Sequence, residues 1–472
     1  MKNKKTLIAI IIIISFIIVS FGSFIGGSYL SFKAEKKAII ILPGLFASGL
    51  YDSSTGKGVW DPFESLDLSF SDFMDETGGL KFDALLPILM SDTFSGELDK
   101  LFANDNMGTP DSLLNMMAMN EDGTSVVDTV VAVPWTNQTR LKYGVINAQK
   151  DMYNSINNRY GSDYDVQIFN YDFRQDNRQN AILLENFINE QGYTDVILVS
   201  HSNGGQVASV YLARSEANRE KVSKYISYNS PYYGSYSAIT ILEDTAGMIS
   251  GMTSSLGNSP LTAGLVTNIN EVFSNQFMRL LNMWAVYQLL PSYEILSTEY
   301  NGDQAMIYID GVAQTFSSSE ELWEFYCSRP WAKLTNGELR KPMAEWQDYK
   351  DSMMVILPSG EKVLSTTLID TTYYSGTNVI TTDKIYYTRN EDDTLTLTST
   401  GTTMHGDGTV LLNSAVGLVD DPSRIVLFDG VTHYGVNTDY VGFAEADTYA
   451  VLDPFVEKDL PWYYKLWKNI LN

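Results

Sequence analysis

The chain has 472 residues, with 32 Lys and Arg against 57 Asp and Glu, for a formal net charge of −25 at pH 7. A charge of that sign repels phosphate backbones and argues against nucleic acid as a partner, while the length suits one large α/β domain with insertions or two domains and a 44% hydrophobic content is ample for a core. Cys327 is the single cysteine, which excludes an intrachain disulfide, a cysteine-based zinc site and a lipid-modified N-terminal cysteine.

Lys2, Lys4 and Lys5 precede an apolar run from Leu7 to Val19 that continues without charge to Phe32. A helix of ~20 apolar residues crosses a hydrocarbon core, so residues 1–36 read as an N-terminal transmembrane helix retained as an anchor, or as a cleaved signal segment. The candidate cleavage sites are Ser20-Phe21-Gly22 and Gly26-Gly27-Ser28. Either reading puts the remainder outside the cytoplasm, held at a membrane or secreted.

Lys37 to Leu42 is a fully apolar run after its lysine and ends in Pro43-Gly44, the pattern of a buried parallel strand entering a loop. Residues 51–130 are acidic and punctuated by Gly and Ser, with Trp60, Phe63, Phe70 and Phe73 among turns. Asn104 to Asp111 and Asn120 to Gly123 lack the twelve-residue spacing of a calcium loop and read as turns. Val126 to Val133 has strand character, Leu141 to Asn158 helical spacing, and Val166 to Asn170 strand character again. Tyr171-Asp172-Phe173-Arg174 follows, then a helix over Ala181 to Gln191. This alternation predicts a mostly parallel, doubly wound sheet.

Val196 to Val199 is the next apolar strand, and it stops at Ser200-His201-Ser202-Asn203-Gly204-Gly205 before a helix. A serine on a strand-to-helix turn, with small residues two before and two after it, is the pattern of a nucleophile elbow. The usual motif is G-x-S-x-G, and Ser200 replaces its first glycine. In a hydrolase, one oxyanion-hole N–H comes from the residue after the nucleophile, Asn203, and the other from the loop after the first strand, here the Pro43-Gly44 loop.

Lys224 to Pro231 reads as a further strand, after which the alternation stops. Ala238 to Leu296 is apolar, helical and rich in Met and Gly, which suits a cap inserted at about residues 236–365 over the strand ends. Thr372 to Asn378 returns to sheet character, Ile385 to Thr398 reads as a hairpin around an acidic turn, and Ser423 to Phe428 as a strand.

The three histidines are His201, His405 and His433. His201 adjoins Ser202, where successive side chains point apart, and His405 lies two residues before Asp407. His433, in the loop after the last strand, remains as the base. Asp407, between two glycines, is the preferred acid to orient it, with Asp420, Asp421 and Asp429 as competitors. The order Ser202, Asp407, His433 is that of an α/β-hydrolase.

The chain resembles the lecithin:cholesterol acyltransferase family and its phospholipase relatives. The resemblance rests on Leu42-Pro43-Gly44, Tyr171-Asp172-Phe173-Arg174, His201-Ser202-Asn203-Gly204, Ser230-Pro231-Tyr232-Tyr233-Gly234, Leu289-Leu290-Pro291-Ser292-Tyr293 and Gly406-Asp407-Gly408-Thr409-Val410. It implies an α/β-hydrolase domain over residues 37–460 with a cap and lid above an acyl-chain groove. It also implies Ser202 as nucleophile, Asp407 as acid and His433 as base, with the backbone amides of Leu45 and Asn203 as the oxyanion hole. The departures are Ser200, Phe173 in place of a tryptophan, and the absence of a cysteine pair.

The expected function is that of a serine lipid esterase, a lipase, phospholipase or lipid acyltransferase, working through an acyl-enzyme on Ser202. It needs no cofactor or metal. Its partners are a lipid ester and, through the N-terminal helix, a membrane. A non-catalytic binding protein on the same fold, or a peptidase or thioesterase, are the alternatives.

Overall fold

The computed structural model describes residues 36–45, 47–54, 58–60, 117–131, 148–243, 282–299, 305–438 and 440–459. The expected N-terminal helix, the turn at Asn104 to Asp111, Phe63, Phe70 and Phe73, and the Met-rich residues 244–281 lie outside the described residues. Among the described residues no helix is long and apolar enough to cross a membrane. Contacts divide the chain between Lys36 and Lys37, and the strands and helices of the fold belong to the unit that begins at Lys37.

Six strands form the central sheet: β1 (Lys37–Leu42), β2 (Asp165–Ile168), β3 (Asp195–His201), β4 (Val222–Tyr228), β5 (Thr371–Thr377) and β6 (Ile425–Asp429). Their order is β6-β5-β4-β3-β1-β2 and every pairing is parallel. Parallel strands buried on both faces need apolar side chains at consecutive positions. In β1 the alternation splits those residues cleanly, with Ala38, Ile40 and Leu42 in one core and Ile39 and Ile41 in the other. Four helices matter most for the core: α1 (Ala148–Tyr160), α2 (Asn177–Gln191), α3 (Asn203–Arg214) and α4 (Glu445–Asp459). The first core takes Leu184 and Ile188 of α2 and Val207 and Tyr211 of α3, whereas the second takes Met152 and Ile156 of α1 and Leu452 of α4. The sheet is therefore covered on both sides.

Two expectations need correction. The strand at Val126 to Val133 is not in the central sheet: Thr129–Val131 pairs antiparallel with Leu50–Asp52 in a separate three-stranded sheet. The described part of residues 236–365 is also not wholly helical. Met306–Ile309 pairs in parallel with Thr381–Arg389, so that Ile307 and Ile385 are buried together, and the hairpin Thr381–Arg389 with Leu395–Thr403 completes a four-stranded side sheet with Val312–Gln314.

The Tyr171-Asp172-Phe173-Arg174 stretch ties these insertions to the strand ends. The Arg174 guanidinium, with no exposed surface, donates to both oxygens of Asp172 at 2.9 and 2.7 Å, and further to Ser125 Oγ and Thr129 Oγ1 at 3.1 and 3.0 Å. The Arg174 carbonyl accepts the Trp284 N–H at 2.9 Å. A buried charge is tolerated because it is paired and its remaining donors are used.

Candidate active site

β3 ends at His201 and α3 begins at Asn203, leaving Ser202 alone in the turn at φ 52°, ψ −126°. A non-glycine residue with positive φ costs roughly 1–3 kcal/mol and persists only where its surroundings over-determine it. Those surroundings are close. The Ser202 N–H donates to the Tyr228 carbonyl at 2.9 Å, and its own carbonyl accepts from Gly205 at 2.9 Å. A Cβ on Gly204 would lie 2.4 Å from the Leu42 carbonyl oxygen, and one on Gly205 would lie 2.1 Å from Ser230 Oγ. Only glycine lets α3 approach the end of β1 and the loop after β4 this tightly.

Ser200, the departure from the usual elbow, is fully buried and its hydroxyl is satisfied. It bonds Tyr225 Oη at 2.6 Å, which bonds Tyr232 Oη at 2.9 Å; Tyr232 donates to Ser227 Oγ at 2.6 Å, and Ser227 to Ser230 Oγ at 3.0 Å. This ring of hydroxyls beneath the elbow has room for a serine where the motif has glycine, because Ser200 joins the ring instead of leaving an unpaired polar group.

The structure brings Ser202, His433 and Asp407 together. His433 Nε2 lies 2.9 Å from Ser202 Oγ, and His433 Nδ1 lies 2.8 Å from Asp407 Oδ2. Asp407 has no exposed surface and its Oδ1 accepts the N–H groups of Thr409 and Val410 at 2.9 and 2.7 Å. The His433 N–H returns to the Asp407 carbonyl at 2.7 Å, so the two loops are joined by backbone as well as side chain. The competing acids are elsewhere: Asp420, Asp421 and Asp429 are exposed, Asp421 caps a short turn at Ser423, and Asp429 accepts from Asn378. His405 is exposed too, and its carbonyl accepts the Leu412 N–H.

Two further residues hold the His433 loop in place. His201 Nε2 lies 2.9 Å from the His433 carbonyl oxygen, which requires the Nε2–H tautomer, and Asn229 Nδ2 donates to the same carbonyl at 3.2 Å. Asn229, at φ 50°, also accepts the Gly376 N–H at 2.9 Å, which links the ends of β4 and β5 to the His433 loop. Nothing local in the sequence marks Asn229 for this role, because its partners lie on distant segments.

Burial, reinforced by the neighbouring His433, pushes the His201 pKa down from 6.5 to about 3. Its folded-state pKa is depressed, so below about pH 6.5 the unfolded chain binds a proton that the folded chain refuses. Stability is lost as pH falls from about 6.5 toward about 3, at up to about 1.4 kcal/mol per pH unit. Urea midpoints of the wild type between pH 4 and 7 are expected to slope more steeply than those of His201→Gln; parallel profiles contradict this account.

Asn203 is the first residue of α3, and a helix leaves its first N–H groups without intrahelical acceptors. The loop after β1 lies against Ser202, since a Cβ on Gly44 would stand 3.0 Å from Ser202 Cβ and 2.9 Å from His201 Nδ1. Leu45 follows in that loop and is partly buried. Among the described residues no group of three or more His, Cys, Asp or Glu is arranged to hold a metal.

Among curated proteins none matches the sequence. Among solved structures, a chain of the Tle4-Tli4 complex is similar over 91% of this chain and 100% of its own, at 14% identity and a TM-score of 0.49. The mature form of the Bacillus licheniformis lipase BlEst2 is similar over 30% of this chain and 66% of its own, at 19% identity and a TM-score of 0.19. The family model of lecithin:cholesterol acyltransferase matches residues 119–391, more than half of the chain and including the elbow, whereas Asp407 and His433 lie beyond the match and join Ser202 through the geometry above. The chain belongs to the lecithin:cholesterol acyltransferase family.

Proposed function

We propose that the protein is a serine esterase of the α/β-hydrolase type that acts on lipid esters through an acyl-enzyme on Ser202. The observation that carries this is the relay of hydrogen bonds from Ser202 Oγ through His433 to the buried Asp407. In this reading His433 Nε2 takes the serine proton as Oγ attacks the ester carbonyl. The tetrahedral oxyanion is held by the N–H groups of Leu45 and Asn203, and donors preorganised in this way contribute about 3 kcal/mol each. Collapse expels the alcohol, which receives the proton from His433; an acceptor then gives its own proton to His433 and takes the acyl group, and His433 passes that proton to the departing Ser202 Oγ. Asp407 keeps Nδ1 protonated and stabilises the imidazolium.

The family membership supports a lipid ester as substrate, and the acceptor is water or an alcohol. The apolar run of residues 7–32 after three lysines supports an extracytoplasmic domain, tethered by a retained helix or secreted after cleavage. The expected result with the full chain on phosphatidylcholine vesicles is release of acyl groups as fatty acid, joined by a fatty ester when a long-chain alcohol is added. Vesicles left intact, with peptide or thioester substrates turned over instead, overturn the lipid assignment. Ester formation that persists in Ser202→Ala overturns the nucleophile.

A further inference from the structure

An oxyanion hole built from two amides on different segments works only if their separation is held within a fraction of an ångström, because N–H···O bonds weaken steeply with distance and angle. The sheet does not supply this here. The β1–β3 ladder ends at the Leu42–Ser200 pair, so Pro43, Gly44 and Leu45 on one side, and Ser202 and Asn203 on the other, lie beyond it.

One side chain touches both segments. Tyr171, just past the end of β2 and with no exposed surface, donates its hydroxyl to the Pro43 carbonyl at 2.6 Å and accepts from Asn203 Nδ2 at 3.2 Å. Its main-chain N–H donates to Ser48 Oγ at 3.3 Å, so the loop that carries Leu45 is gripped near both of its ends by a single residue. Within that loop the Gly44 carbonyl accepts the Ala47 N–H at 3.2 Å. In a trans peptide the C=O and N–H point in opposite directions, so fixing that carbonyl fixes the Leu45 N–H.

The other end of the link is equally constrained. Asn203 Oδ1 accepts from Asn177 Nδ2 at 2.9 Å, and the Asn177 main-chain N–H is anchored on Gln288 Oε1 at 3.1 Å. Asn203, Asn177 and Gln288 are all fully buried, so each bond is made away from water. Burial raises the Tyr171 pKa well above its ordinary value, which keeps the phenol protonated and the bond to Pro43 donated at every pH where the fold survives.

We propose that Tyr171 is a positioning residue for the oxyanion hole: its buried hydroxyl joins the Pro43 carbonyl to the Asn203 side chain and so sets the spacing between the Leu45 and Asn203 amides. The proposal rests on the esterase reading above. It predicts a defect confined to the transition state, since the phenol is fully buried and bonds Pro43 and Asn203, not Ser202, His433 or Asp407.

The test uses the full chain and a short-chain p-nitrophenyl ester, with an alkylboronic acid as a mimic of the tetrahedral state. Tyr171→Phe is expected to lower kcat about 10- to 100-fold with KM changed less than about threefold, and to weaken the boronate in proportion to kcat. Asn203→Ala removes the same bond from its other end while keeping the backbone N–H, and carries the test alone if Tyr171→Phe does not fold. Because the Tyr171–Asn203 bond is lost in either variant, the double variant is expected to be less impaired than the product of the two single effects. Tyr373→Phe deletes another buried hydroxyl, one bonded to Thr366 at 2.8 Å, and is expected to keep kcat. Tyr171→Phe with kcat and boronate affinity within about twofold of wild type overturns the proposal. So does a fully additive double variant, or a Tyr373→Phe variant as slow as Tyr171→Phe. A wild type that neither hydrolyses the ester nor reacts with a fluorophosphonate at Ser202 sinks the esterase reading itself, a separate result.

Discussion

Ser202→Ala is expected to lower ester turnover by about 10⁵- to 10⁶-fold while leaving thermal stability unchanged or higher. Triad members act as a unit, and loss of the nucleophile alone removes nearly everything the unit contributes. The residual rate reflects binding and the oxyanion donors. Stability is not expected to suffer, because Ser202 sits strained at φ 52° and, among the described residues, its hydroxyl bonds only the imidazole that it serves. Alanine keeps the small side chain that the approach of Gly44 to Ser202 Cβ demands. The check is kinetic and covalent together: a fluorophosphonate labels the wild type at Ser202 and leaves Ser202→Ala unlabelled. Turnover in the variant within about tenfold of wild type places the chemistry on another residue.

Asp407→Asn is the second large effect, a fall of about 10⁴-fold in kcat. The geometry gives the reason. Asp407 Oδ1 is held by the Thr409 and Val410 N–H groups, and an asparagine keeps those bonds only by placing its own oxygen there. Its NH2 then faces His433 Nδ1, which must become an acceptor, so the ring proton moves to Nε2 and points at Ser202 Oγ. An imidazole in that tautomer cannot take the serine proton. The variant is expected to fold, with KM nearly unchanged and the fluorophosphonate reaction slowed in step with kcat. Labelling at the wild-type rate shows that Asp407 does not set the tautomer.

The elbow was legible because a strand, a sharp turn and a helix each leave a local mark: β-branched residues to Val199, then small ones, then an apolar helix. His433 was legible for a different reason. With three histidines in the chain, one adjacent to the nucleophile and one adjacent to the acid, elimination left a single base. The supports of the site were not legible, since each is a bond between distant positions. Tyr171 and Pro43 are 128 residues apart, and Asn229 and His433 are 204 apart. No periodicity encodes such pairs.

The misplaced strand at Thr129–Val131 has the same cause. A short apolar strand looks alike whether it enters the central sheet or pairs with Leu50–Asp52 beside it. Its true position follows from Thr129 Oγ1, which bonds Asp172 and Arg174, and from the buried ion pair those two residues make. The same ambiguity hid Met306–Ile309, whose partner Thr381–Arg389 comes some way further along the chain. Ser200 shows the converse: it breaks a motif and is explained only by the hydroxyls of Tyr225 and Ser230 that surround it.

The acyl-enzyme itself is the most direct test of the account. The full chain is mixed with a p-nitrophenyl acyl ester, quenched in acid within the pre-steady-state burst, digested and analysed by mass spectrometry. The expected product is one acyl group on the peptide that contains Ser202, absent from Ser202→Ala. Ester consumed by the wild type with no acyl group on that peptide, or with the acyl group on another residue, contradicts it.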